Sequence, residues 1–137
     1  MFPLPATFQP SGTADSFVFS TGMAALGHIL PDDYIKFMEQ FNGGEGFIGE
    51  HYLSLWKSGD LKTHNREYEF PKYAPALFAF GSNGGGEAFA FDMRVTPATV
   101  VIVPFIGLSY QDATWVAASF DDFLARLQHN PASFWET

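Results

Sequence analysis

Cysteine is absent from this 137-residue chain. Disulfides, thiolate metal sites and cysteine nucleophiles are thereby excluded. Positive charge is scarce: Lys and Arg total 7 against 15 Asp and Glu, a formal net charge of -8. An acidic surface repels phosphate, so direct nucleic-acid binding is not expected and basic partners are favoured; the same charge also serves solubility. No apolar run approaches the roughly 20 residues that span a bilayer. The opening MFPLPATFQPSG has no basic stretch and is broken by Pro3, Pro5 and Pro10. It does not read as a signal peptide, and a cytoplasmic location is expected.

What is abundant is apolar and aromatic material. Hydrophobic residues make up 47% of the chain, aromatics 18%, and there are 16 Phe. Each buried ring removes a large area from water, so one well-supplied core in a single domain is expected.

The chain's periodicity predicts helices first, then strands, then a helix. Phe19, Met23, Leu26 and Leu30 recur at helical spacing, although Gly22 and Gly27 weaken that segment. Pro31 opens a clearer helix, with Asp32 and Asp33 at the positive end of its dipole and Tyr34, Met38 and Phe41 on one face. Asn42-Gly43-Gly44 stops it. Gly46-Phe47-Ile48-Gly49 and Tyr52 to Trp56 read as short strands. Lys57 to Asp60 reads as a turn, and Leu61 to Glu69 as a helix or a long loop.

Phe78-Ala79-Phe80 and Phe89-Ala90-Phe91 alternate with period two around Gly81-Ser82-Asn83-Gly84-Gly85-Gly86-Glu87. That pattern predicts an antiparallel hairpin with Phe on one face and Ala on the other. Val100 to Val103 is apolar on both faces, as a central strand is, and Trp115-Val116-Ala117 is a further strand candidate. Ser119 is placed to cap a closing helix whose stripe is Phe120, Phe123, Leu124 and Leu127. The order predicts an α+β fold: one domain, a mostly antiparallel or mixed sheet, helices at the N-terminal and C-terminal ends and on one side of the sheet.

No reactive constellation stands out. Gly81 and Gly86 have P-loop spacing, but Glu87-Ala88 replaces the required Lys and Ser/Thr, and the cluster lies between strands. Gly84, Gly85 and Gly86 read instead as a turn with positive φ. His28, His51, His64 and His129 share no i, i+3 or i+4 spacing, and Asp92 lacks the repeated oxygen ligands of a calcium loop. No metal and no cofactor is expected. Glu45 with Glu50, and Glu87 with Asp92, are the carboxylate pairs that could serve a glycosidase if they converged. The bland alternative is solvated strand ends, with Asp92 bracing a turn. Trp135, after the last helix, covers either the core edge or a partner.

Taken together, Leu30-Pro31-Asp32-Asp33-Tyr34-Ile35-Lys36-Phe37, Phe41-Asn42-Gly43-Gly44-Glu45-Gly46, Leu53-Ser54-Leu55-Trp56, Asn65 with Tyr68, Pro75, Phe80 to Glu87, Phe89 to Asp92 and Val116 to Leu124 form an ordered series. The series resembles the SUKH superfamily, specifically its Smi/Knr cell-wall-assembly-regulator branch, over about residues 20 to 128. On this resemblance residues 17–137 form one SUKH-like domain and 1–16 an irregular Pro-rich lead-in. It implies an α+β fold and a binding role without catalysis. Bacterial members of the family often neutralise polymorphic toxins, many of them nucleases; eukaryotic relatives act as scaffolds and regulators. The recurring residues, here Glu45, Trp56, Gly81, Gly84, Gly85, Asp92 and Phe120, are implied to be mostly architectural.

The expected function is therefore an immunity protein that binds a cognate toxin, with a cytosolic regulator or scaffold of the Smi/Knr type as the alternative. The expected partner is a protein, a basic toxin domain, with Glu45, Glu50, Glu87, Asp92 and Trp135 as candidate contacts. Gly43, Gly44, Gly81, Gly84, Gly85 and Gly86 are assigned to turns.

Overall fold

In the computed structural model, residues 3–13 and 28–136 are described. The helical stripe expected over 17–30 therefore lies outside the described residues, except for Leu30, which is buried.

Seven strands form one open antiparallel sheet in sequence order: β1 (Phe8–Pro10), β2 (Gly44–Ile48), β3 (His51–Leu55), β4 (Leu77–Ser82), β5 (Glu87–Asp92), β6 (Thr99–Pro104) and β7 (Thr114–Ala117). The described helices are α1 (Asp32–Phe41), α2 (Leu61–Glu67), α3 (Phe70–Tyr73) and α4 (Phe120–His129).

Local chemistry sets the helix ends. Asn42 adopts the left-handed conformation at φ 50° and its N–H donates to the Met38 carbonyl, closing α1. At the start of α4 the Ser119 hydroxyl accepts from the Asp122 N–H at 3.0 Å, while the Asp122 carboxylate accepts from the Ala118 N–H at 2.9 Å. That reciprocal arrangement satisfies N–H groups a helix leaves orphaned.

The central hairpin follows the alternation in its sequence. Phe78, Phe80, Phe89 and Phe91 point to one side, where Tyr34, Phe37 and Met38 of α1 and Phe120, Phe123, Leu124 and Leu127 of α4 cover them. Ala79, Ala88 and Ala90 point to the other side, with Val101 and Val103. The turn between the strands has positive φ at Gly84 (75°) and Gly86 (92°), as a glycine turn allows, while Gly85 does not. Asn83 organises the loop: its Oδ1 accepts from Gly85 and Glu87 N–H, and its Nδ2 donates to the Glu87 carboxylate.

Three expectations need correction. The helices do not all lie on one side, because α3 covers the Ala side, where Phe70 and Ala74 pack on Leu77, Val101 and Leu108. A central strand apolar on both faces needs cover on both. Within the Pro-rich lead-in, Phe8–Pro10 forms β1 and pairs with Gly44–Gly46. A Cβ at Gly44 or Gly46 would run into the Gln9 or Thr7 carbonyl, so the missing side chains of β2 are what admit β1. Gly43, at φ 82°, makes the bend before them. Gly44 and Gly81 lie within β2 and β4 and not in turns; a Cβ at Gly81 would meet the Ser54 carbonyl of the neighbouring strand, so glycine there serves the close approach of β3.

Asn65 ties α2 to the sheet. After the Leu55–Gly81 pair, β3 no longer runs beside β4, apart from the Trp56 N–H given to the Phe80 carbonyl. The Asn65 carboxamide takes the place of a strand at Ala79, accepting from its N–H and donating to its carbonyl, both at 2.9 Å.

Two stability predictions follow from these contacts. Phe123 is fully buried, so Phe123→Ala should cost about 3–5 kcal/mol in chemical unfolding. Asn65→Ala orphans both Ala79 backbone groups and should cost about 1–3 kcal/mol for each. A loss below about 0.5 kcal/mol in either case, the range of ordinary surface changes, would contradict the assigned role.

Candidate functional site

The cover on the Ala side stops at β4, which leaves the same side of β2 and β3 bare among the described residues. Along β2, Gly44 and Ile48 are buried while Glu45 and Phe47 are exposed. Along β3, His51, Leu53 and Leu55 are buried while Tyr52 and Ser54 are half-exposed. The outward positions therefore place Glu45, Phe47, Tyr52 and Ser54 on one surface.

This surface is ordered by its own side chains. Phe47 is 51% exposed, and its ring meets Tyr52 edge-to-face at 5.6 Å. The Tyr52 hydroxyl donates to the Glu45 carboxylate at 2.7 Å, and that bond, together with the neighbouring negative charge, raises the pKa of the phenol. Beyond Ser54 the strand runs into an aromatic wall: Trp56 packs on His64 at 4.6 Å, and Tyr68 stacks on Phe105 at 4.0 Å. A shallow depression of about 410 Å³ lies between, lined by Gln9, Glu45, Ser54, Trp56, Lys57 and Asp60. Exposed aromatic rings beside held carboxylates suit protein recognition, where aromatic anchors supply area at low entropic cost.

The four candidate carboxylates do not form one patch. Glu45 lies on the outward face. Glu50 is exposed in the β2–β3 turn, close to Trp135, with which it lines a small cleft. Glu87 has the parity of Phe89 and Phe91, so it is on the opposite face from Glu45, half-buried and bonded to Asn83. Asp92 is only 7% exposed and accepts from the Arg94 backbone N–H, Nε and Nη2 at 2.9–3.0 Å. Glu87 and Asp92 mark the two ends of β5, about 17 Å apart at strand rise, too far for a glycosidase pair. Trp135 is half-buried against His51 and Phe89. Among the described residues no group of three or more His, Asp or Glu is placed to hold a metal, and no helix is long and apolar enough to cross a membrane.

Sequence reasoning missed Phe47, Tyr52, Tyr68 and Phe105. Parity along β2 could have found the first, since Phe47 shares the wet side with Glu45 and not the inner side with Ile48. It also missed that Asp33 and Asp121 meet: the Asp121 N–H donates to the Asp33 carboxylate at 3.0 Å, bringing the acidic first turns of α1 and α4 to one corner.

Residues 23–126 match the SMI1 / KNR4 family (SUKH-1), most of the chain, and the protein belongs to that family. Comparison with curated proteins gives no match. Family membership supports a protein-binding role, in immunity or in regulation.

Asp92 generates a pH prediction. The Arg94 guanidinium holds its carboxyl below the usual carboxylate range, against the opposing pull of burial. A depressed folded-state pKa stabilises the protein above the unfolded value of about 3.9, and the gain is lost as pH falls through the folded value. Unfolding midpoints should therefore drop in acid below about pH 4. Asp92→Asn should cost about 1–3 kcal/mol at neutral pH and reduce that acid slope. An unchanged slope in the variant would show that other carboxylates carry it.

Proposed function

We propose that this protein is an immunity-type binding module that occupies the basic active surface of a cognate toxin, a nuclease domain being the best electrostatic fit. The observation that carries the reading is the bare β2–β3 face, where the Phe47–Tyr52 pair stands beside a carboxylate and no described element covers it. A nuclease must gather Lys and Arg to attract phosphate. An inhibitor that presents carboxylates around an aromatic centre can take the same ground. The net charge of -8 favours encounter with such a partner, and membership of the SMI1 / KNR4 family supports a binding role. Glu45 and Glu50 are the carboxylates available for this contact. Glu87 is engaged in its turn and Asp92 in its ion pair, so they contribute through the fold.

The test is capture of the partner from the native host, followed by association kinetics with purified proteins over a salt series. Glu45→Gln with Glu50→Gln should slow association and flatten its salt dependence while leaving the melting temperature nearly unchanged. Phe47→Ala should speed dissociation, with a loss of at least about 1 kcal/mol if the ring is an anchor. An acidic partner, or an association rate indifferent to salt, would overturn the electrostatic reading. A partner with no toxic activity would make the protein a regulator instead.

A further inference from the structure

A small cleft of about 140 Å³ opens where the β2–β3 turn, the β4–β5 turn and the chain after α4 meet, lined by Glu50, His51, Tyr52, Asn83, Ser133 and Trp135 among others. His51 is only 6% exposed. Its Nδ1 lies 2.8 Å from the Leu127 carbonyl. A carbonyl only accepts, so Nδ1 carries the proton, and in the neutral ring Nε2 presents a lone pair. That Nε2 is buried and has no hydrogen-bond partner among the described residues. Leaving such an atom unpaired is costly, and native proteins rarely do so without a use for it.

The surroundings define what would satisfy it. Glu50 supplies an exposed carboxylate at the mouth. Trp135 supplies an indole whose ring lies 5.7 Å from the imidazole, and Phe89 meets that indole edge-on at 5.9 Å. Asn83 is already committed within its turn. A lone pair, a carboxylate and an aromatic face together select a cationic N–H donor. A metal ion is disfavoured, since the described residues bring no third ligand to His51 and Glu50. A guanidinium fits better than an ammonium: its planar fork carries several donors, and its flat face packs along an indole.

We propose that this cleft seats one arginine side chain of the binding partner. The inference rests on the partner being a basic protein, and it adds a specific anchor point to that reading, apart from the outward β2–β3 face. His51 packs against Phe134 and Trp135, which belong to a single turn (Phe134–Glu136) beyond α4. The arginine reaches Nε2 as the Trp135 indole gives way, so both side chains report its arrival.

The test is a nuclear magnetic resonance titration of the full chain with Nα-acetyl-arginine methylamide. The lysine counterpart is run in parallel, as is the citrulline counterpart, which is a neutral isostere of arginine. The arginine compound should shift the Trp135 indole and His51 ring nitrogen signals saturably, the lysine compound should bind several-fold more weakly, and the citrulline compound should leave them unmoved. Glu50→Gln should weaken the arginine response several-fold with unchanged melting temperature, and Trp135→Phe should weaken it several-fold at a temperature well below its own melting point. No saturable shift at these two residues, or an equal response to citrulline, overturns the proposal. Equal affinity for the lysine compound overturns the assignment to a guanidinium. Because no partner protein enters the titration, its failure is distinct from failure of the toxin-binding reading. An arginine response alongside an acidic captured partner would sink that reading and leave the cleft's selectivity standing.

Discussion

The fold turns on how β4 satisfies its edge after β3 leaves it. A buried backbone N–H and C=O cannot be left without partners, and at Ala79 the carboxamide of Asn65 supplies both. A third bond, from Asn65 Nδ2 to the Leu61 carbonyl, fixes the side chain to its own helix. The clamp therefore holds α2 at the edge of β4, leads the chain into α3 over the Ala face, and sets where cover on that side begins. Everything toward β5 and β6 is roofed by Phe70, Ala74 and Leu108. Among the described residues, the same side of β2 and β3 stays open. The bare surface and its aromatic wall are consequences of where one polar side chain stands in for a strand.

The two faces of the central hairpin divide the work of packing. Rings on one face bury large areas against α1 and α4, with Tyr34 at their centre, 5.0–5.6 Å from Phe80, Phe91 and Phe120. Burial pushes the Tyr34 phenol's pKa well up, and its hydroxyl has no partner among the described residues. An unpaired hydroxyl there costs about 1–3 kcal/mol, which the aromatic contacts of the same ring offset. Alanines on the other face allow a short helix to approach closely, which is why α3 suffices there.

Features decided within a few residues were legible in the sequence. The Phe/Ala alternation, the glycine turn, the Asn42 stop and the Ser119 cap all fold as their local chemistry dictates. Features decided across the sheet were not. β1 looks like an irregular segment because its own prolines say so; what recruits it is the absence of side chains at Gly44 and Gly46, far along the chain. In the sequence the candidate carboxylates are charges near strand ends; only the register shows Glu45 and Glu87 on opposite faces and Asp92 at the far end of β5. Arg94 and Asn83, each close in sequence to the carboxylate it holds, were the local signs that Asp92 and Glu87 were already engaged.

The arrangement of β2 separates constrained positions from free ones. Its inward positions are constrained: Gly44 and Gly46 must stay small for β1 to approach, and Ile48 is fully buried. Its outward positions carry no such demand. Glu45 and Phe47 touch Tyr52 and solvent, so changing them removes little buried area and leaves no backbone group unpaired. Substitutions there fall in the class that usually shifts stability by no more than about 0.5 kcal/mol. Substitutions at such positions leave the core intact, provided the inward glycines stay. The period of two along a strand thus lets five consecutive residues hold a fixed scaffold and a variable surface at once.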